Sequence, residues 1–320
     1  METQAERQQN KVLEFLRQKK RAIIPVAGLI VVVLFFHIVS GGKVIAPANF
    51  STLFNETFTI MMVSCALIFV MAQGKMDMSI ASTAAVAAAV GAYASEVSVY
   101  LVLPAALLTG ALIGLLNGLI VTELRIDSFI ATIAMSFIMK GAVELLLMDG
   151  VRAIPIRMML LDTVELKLAV VVIFAIICFI LFDYTAFGKQ CRAIGSRAEV
   201  ARQSGVKVKK IQYLSYVFTG AAAGAVAFFF LLRSGAANIG TASNLEFNAL
   251  QALMLGGMVI TGGSSVRFRS AIIGSITMAV FGNGMTLWGV ETLTQQLIKG
   301  VIFLAVIALT FDRRSAETIK

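Results

Sequence analysis

Residues 182–210 read FDYTAFGKQCRAIGSRAEVARQSGVKVKK, a polar segment set between two long apolar runs. Seven Lys/Arg (Lys189, Arg192, Arg197, Arg202, Lys207, Lys209 and Lys210) stand there against two acids, Asp183 and Glu199. Ser196 and Glu199 have the spacing of a capping box, in which the serine hydroxyl and the glutamate carboxylate satisfy free amides of a first helical turn. Gly205 falls where a helix ends in a left-handed residue. Together they predict a helix from Arg197 to Ser204, about 12 Å long and too short to cross a bilayer. A membrane protein that displays a short, capped, basic helix on one large loop offers it to a partner. Ala198, Val200 and Ala201 are small enough for close approach, and Arg197 and Arg202 reach acids on a partner's rim.

The composition places the rest of the chain in a membrane. Hydrophobic residues make up 58% and charged residues 14%, against roughly a quarter charged in soluble domains. Several apolar runs reach about 20 residues, enough to cross the hydrocarbon layer. The 26 glycines suit helices that pack closely in lipid. A net charge of +9 fits positive loops on one membrane face and does not require nucleic acid. Cys65, Cys178 and Cys191 are an odd number without metal-ligand spacing, so neither a disulfide framework nor a metal site is expected.

The expected fold is an all-α polytopic membrane protein. Candidate spans fall at about 22–40, 51–73, 79–95, 99–122, 128–148, 165–183, 211–232, 247–262, 270–289 and 293–311. The first run is longer than the apolar core of a signal peptide and is expected to be a transmembrane helix. The chain then divides into an N-terminal tail (1–21), a transmembrane domain (22–312) holding the loop at 184–210, and a C-terminal tail (313–320). The tail at 1–21 is basic with interspersed apolar residues; it either lies on the inner membrane surface as an amphipathic helix or is solvated. With the N-terminus inside, 20 Lys/Arg fall on inner segments and five on outer ones. That bias puts both termini and the large loop in the cytoplasm.

An internal repeat runs through this pattern. Gly110-Ala-Leu-Ile-Gly-Leu-Leu-Asn117-Gly118 resembles Gly274-Ser-Ile-Thr-Met-Ala-Val-Phe-Gly-Asn283-Gly284. Each is followed by an apolar span with a Lys-Gly pair, Lys140-Gly141 and Lys299-Gly300. Spans 2–5 would begin outside and spans 7–10 inside, giving two inverted repeats around a central pathway.

These residues resemble the permease subunits of bacterial monosaccharide ABC importers, of the ribose/galactose/xylose type. The resemblance is carried by Gly188, the stretch Ala193–Gly205, Thr219-Gly220, the Leu255-Gly-Gly and Thr261-Gly-Gly runs, Asn283-Gly284 and Lys299-Gly300. A second block covers Gly74–Ile80 and Asn117–Gly150, including Phe129-Ile-Ala-Thr132. Two places depart from the family. Glu246-Phe-Asn-Ala249 stands where an acid-aspartate-alanine run is usual, and Ser264-Ser-Val-Arg267-Phe-Arg269 replaces further glycine. The resemblance implies a multi-pass protein of the bacterial cytoplasmic (inner) membrane that moves a monosaccharide or similar small polar solute inward. It implies an ABC ATPase that docks on the loop helix (Ser196, Arg197, Ala198, Glu199, Val200, Ala201, Arg202, Gly205). It further implies an extracytoplasmic solute-binding protein and a second permease, either a copy or a close relative. ATP and Mg would belong to the ATPase.

The residues themselves agree with that division of labour. The chain has no G-x-x-x-x-G-K-[ST] loop; Ser40-Gly-Gly-Lys43 is a weak echo of one, so no cofactor and no enzymatic activity are expected on this subunit. The single histidine, His37, is read as an interfacial side chain. Gln73, Asn117, Ser136 and Asn248 are candidates for a polar pathway, as are Gln251, Asn283 and Gln295, because amides and hydroxyls bind sugar hydroxyls without a counter-charge. Each could equally hold two helices together. Lys140 and Lys299 are read as snorkelling to the interface, and Trp288 as an anchor there. Acids within spans look scarce, with Glu56, Asp77 and Glu144 near ends or loops, which argues against an ion-coupled secondary carrier. That carrier, and a non-transporting membrane scaffold, are the rival readings.

Overall fold

The computed structural model describes residues 23–148 and 150–310. Both tails, with the expectations placed on them, lie outside these residues. The described chain is helical apart from its loops and one short antiparallel pair of strands distant in sequence. It comprises α1 (Ile23–Val39), α2 (Pro47–Met71), α3 (Ile80–Val97), α4 (Val102–Glu123) and α5 (Ser128–Leu146). Then come β1 (Val151–Ala153), a single turn α6 (Ile156–Met159) and α7 (Val164–Phe179), which continues into a π-helical turn, Ile180–Tyr184. After α8 (Ala186–Ser196) and α9 (Ala198–Gln203) follow α10 (Val208–Ser234), β2 (Ala236–Asn238), α11 (Leu245–Leu255), α12 (Arg269–Leu287) and α13 (Thr292–Thr310).

Among the described residues seven helices are long and apolar enough to cross a membrane: α2, α3, α4, α5, α7, α10 and α12, with α4 and α7 extended by their short adjoining turns. Helices α1, α11 and α13 occupy the other three expected positions. The eighth expected span, 247–262, is corrected by the structure. Helix α11 stops at Leu255 after 11 residues, about 16 Å and short of a bilayer. The backbone ends it. Gly257 is left-handed (φ +89°), and the Met258 amide turns back to the Leu253 carbonyl at 3.0 Å, the closure of a glycine-terminated helix.

Close helix contacts rest on missing side chains. A methyl on Gly110 of α4 would collide with the backbone of Gly220 on α10, and one on Gly220 with the Gly110 carbonyl. Membrane helices gain contact this way because lipid gives them no hydrophobic drive to associate. Six of the pairings are α4 on α10 and α2 on α12, α3 on α4 and α11 on α12, α3 on α10 and α2 on α11; α3 also packs extensively on α5, whereas α11 barely meets α13. Each of the six maps onto its mate when α2–α5 are matched to α10–α13.

The connections collect on two faces. On one, β1 pairs antiparallel with β2, Arg152 opposite Ala237, and Arg152 meets Glu96 at the end of α3; from this hairpin-like pair of sequence-distant strands we call it the hairpin face. On the other, Lys209 and Tyr213 at the start of α10 hold Glu123 at the end of α4, at 2.6 and 2.5 Å. The Met76 amide there donates to Ser128. This is the loop-helix face. The loop assignments made from charge fall into these same two groups.

Candidate functional site

Two polar regions sit at opposite ends of the bundle. The first is a cavity of about 260 Å³ at the hairpin face, lined by Glu56 and Thr59 of α2, Arg233 of α10, Asn248 of α11, Thr286 of α12, and Gln295 and Lys299 of α13. Gly282 lies beside two of its opposite charges. Glu56 Oε2 and Lys299 Nζ each stand 3.7 Å from the place a β-carbon at Gly282 would take. Lys299 Nζ donates to Asn248 Oδ1 at 3.3 Å. Gln295 is pinned at one end, its Nε2 donating to the Val290 carbonyl at 2.8 Å and to Thr286 Oγ1 at 3.2 Å. The cavity therefore offers an acid, two cations, two amides and hydroxyls.

The second region is an open cleft of about 410 Å³ at the loop-helix face, lined among others by Gln73, Lys75, Thr122, Arg125, Asp127 and Gln212. Gln73 Nε2 donates to Ser215 Oγ at 2.7 Å, tying the 72–79 loop to α10. Asp77 holds that loop from within. Its Oδ1 accepts from the Ser79 amide at 3.0 Å and from Ser79 Oγ at 2.7 Å. Burial pushes the Asp77 carboxyl above the ordinary aspartate range, and the two Ser79 bonds draw it partly back. Burial likewise lowers the Lys75 ammonium, with Asp127 opposing.

The expected pathway residues divide between these places. Asn248 and Gln295 line the hairpin-face cavity, and Gln73 the opposite cleft. Gln251 lies beside the first cavity, against Lys299. Asn117 is buried and donates to Ser79 Oγ at 2.7 Å. Asn283 and Asn49 exchange two amide bonds, at 2.6 and 3.2 Å, joining α12 to the start of α2. Ser136 is buried on α5. For Asn117 and Asn283 the structure favours helix-to-helix bonding.

Three sequence readings are corrected. Lys299 does not snorkel outward but faces the cavity, whereas Lys140 is exposed beside the Phe137 ring. Acids are not scarce inside the bundle: Asp77 and Glu246 are buried, and Glu56 faces the cavity. The capping box at Ser196 does not form. Residues 186–196 are already helix, Ser196 is the last residue of α8, and Arg197 precedes α9 without a side-chain cap. Glu199 instead pairs with Arg202 one turn on, at 2.7 Å. Gly205 does close α9 in a left-handed conformation, φ +84°, with the Val206 amide reaching the Ala201 carbonyl at 3.0 Å. Arg197, Ala198, Glu199, Val200 and Arg202 are exposed, but Ala201 is turned into the protein. Glu56, Arg233 and Lys299 were passed over as site residues. The cost of burying charge in a membrane was the signal that marked Glu56 and Lys299.

These features belong to a membrane permease. Residues 49–307 match the family described as the permease component of the branched-chain amino acid transport system, and the chain belongs to that family. It is similar to the L-arabinose ABC transporter permease AraH of Azospirillum brasilense, 28% identical over 285 residues, covering 86% of this chain and 84% of that protein. It is similar also to the ribose import permease RbsC of Bacillus subtilis, 26% identical over 304 residues (91% and 92% covered). The fructose import permease FruG of Bifidobacterium longum is 24% identical over 315 residues (90% and 91% covered). No solved structure matches the chain significantly.

Proposed function

We propose that this chain is the membrane-spanning subunit of a bacterial ATP-driven importer and passes a monosaccharide inward through the cytoplasmic membrane. The observation that carries the reading is its similarity, over more than four-fifths of their length, to permeases named for arabinose, ribose and fructose. The hairpin-face cavity suits such a solute, because Asn248, Gln295, Thr59 and Thr286 can bond hydroxyls as donors or acceptors. The Lys/Arg bias assigns the loop-helix face, with both termini, to the cytoplasm. An ATPase docks there on α9, and an extracytoplasmic solute-binding protein delivers solute to the hairpin face. A second permease, identical or related, completes the pathway, and ATP and Mg stay on the ATPase.

One observation favours a second solute class. Glu56 and Lys299, both beside Gly282, with Arg233 lining the same cavity, could take the ammonium and carboxylate of an amino acid. Uptake of tritiated ribose, L-arabinose, fructose and leucine, each competed by the others, separates the two. The sugar reading expects uptake of at least one sugar, unaffected by leucine. Replacing Gln295 by Ala is expected to lower it about five-fold, the effect of one hydrogen bond. Leucine uptake indifferent to all three sugars would overturn it in favour of the amino acid.

A further inference from the structure

Three backbone segments meet under the loop helices at a crossing that only glycine permits. The first is Gly195, at the end of α8. The second is the loop 72–79 between α2 and α3. The third is the loop 256–268 between α11 and α12. The Gly263 amide donates to the Ala72 carbonyl at 2.9 Å. A methyl on Gly195 would strike that same carbonyl and the Gly263 amide. A methyl on Gly74 would lie 2.9 Å from the Thr261 carbonyl, and one on Gly262 2.5 Å from the Met71 carbonyl. Gly74, Gly262 and Gly263 are all left-handed, at φ +71°, +68° and +88°, a conformation that glycine adopts without steric cost.

One side chain clamps this crossing. Ser196 Oγ donates to the Arg192 carbonyl at 3.0 Å, which fixes its rotamer, and accepts from the Ser264 amide at 3.0 Å. Among the described residues it is the side chain of α8 and α9 that hydrogen-bonds the 256–268 loop. Helix α8 is itself held rigidly to the end of α7. Arg192 pairs with Asp183 at 2.8 Å, and Gly188 lies too close to the Phe182 backbone to accept a methyl. Helix α9 follows α8 with only Arg197 between them, so movement of the two helices reaches the loops 72–79 and 256–268 through one hydroxyl and the glycine contacts.

Resting on the importer reading, we propose that Ser196 is a positioning residue for energy coupling. Its hydroxyl fastens the 256–268 loop to the loop helices, so that an ATPase moving α9 moves the loops 72–79 and 256–268 together. The side chain that sequence spacing assigned to capping a helix is thereby reassigned to joining two distant segments.

The test uses the full chain with its ATPase and binding protein in proteoliposomes, with ribose, L-arabinose or fructose, whichever the parent transports. Phosphate release and sugar entry are measured together for Ser196→Ala and Ser196→Thr. The expectation is that sugar moved per ATP hydrolysed falls about five-fold in Ser196→Ala, as for one lost hydrogen bond. Ser196→Thr, which keeps the acceptor, is expected to restore the ratio. In the permease alone, amide exchange at Ser264 is expected to speed up in Ser196→Ala and return to the parental rate in Ser196→Thr. An unchanged ratio in Ser196→Ala, hydrolysis and entry falling in proportion, or no rescue by threonine would each overturn the proposal. A parent whose hydrolysis neither a sugar nor leucine stimulates would instead overturn the importer reading on which the proposal rests.

Discussion

Asp77 sits in a tight loop with its carboxylate enclosed, and its titration has a definite sign. Burial raises it above the ordinary range in the folded chain, so the fold favours the protonated acid. That contribution is fully present below the unfolded pKa and is lost as pH rises through the raised folded value. Asp77→Asn retains an oxygen for the two Ser79 donors and removes the charge. Its melting temperature is expected to exceed the parent's at pH 8 by at least about 2 °C, near what ~1 kcal/mol produces in a large domain. The gap should close toward pH 4; a pH-independent gap would contradict the assignment. Other residues differ in how far the sequence revealed them. Asn248 and Gln295 were legible as polar groups in apolar runs. Lys299 was not, because the cavity it faces is assembled with residues of four other helices, α2, α10, α11 and α12. Ser196 was misread because its Ser-x-x-Glu spacing is local, whereas its bonding partner Ser264 lies 68 residues away.

The helices were legible where a single apolar run decided them and obscure where backbone contacts did. Residues 186–196 were read as loop because they are polar on balance, yet they form a helix packed through Gly188 and Cys191. The eighth helix was drawn too long because Met258, Val259 and Ile260 are apolar; Gly256 and Gly257 stop it first. Helix α9 is present as expected, but the residues it exposes to the proposed ATPase are Arg197, Ala198, Glu199, Val200 and Arg202, without Ala201. A bulky residue at Ala201 would disturb the fold, so Val200 is the better probe of docking. The native cysteines are all buried. Val200→Cys is therefore expected to react with an impermeant maleimide only from the cytoplasmic side, and to be protected at least several-fold when the ATPase is bound. Labelling from outside would reverse the orientation, and labelling indifferent to the ATPase would remove α9 from the docking surface.

Across the molecule, the paired contacts of α2–α5 and α10–α13 place one polar cavity at the hairpin face and one cleft at the loop-helix face. A solute crossing between them needs the faces to open in turn, and the source of that work separates an ATP-driven importer from an ion-coupled carrier. Scarcity of acids in the sequence argued for the importer. With Asp77 and Glu246 buried and Glu56 facing the cavity, that argument no longer stands alone, and family membership carries the weight. The decisive measurement is sugar entry into proteoliposomes holding the chain with its ATPase and binding protein, with ATP concentration and proton gradient varied independently. The account predicts entry that requires ATP hydrolysis and persists when the proton gradient is collapsed at constant ATP. Entry through this chain alone, driven by an ion gradient without ATP, would contradict it.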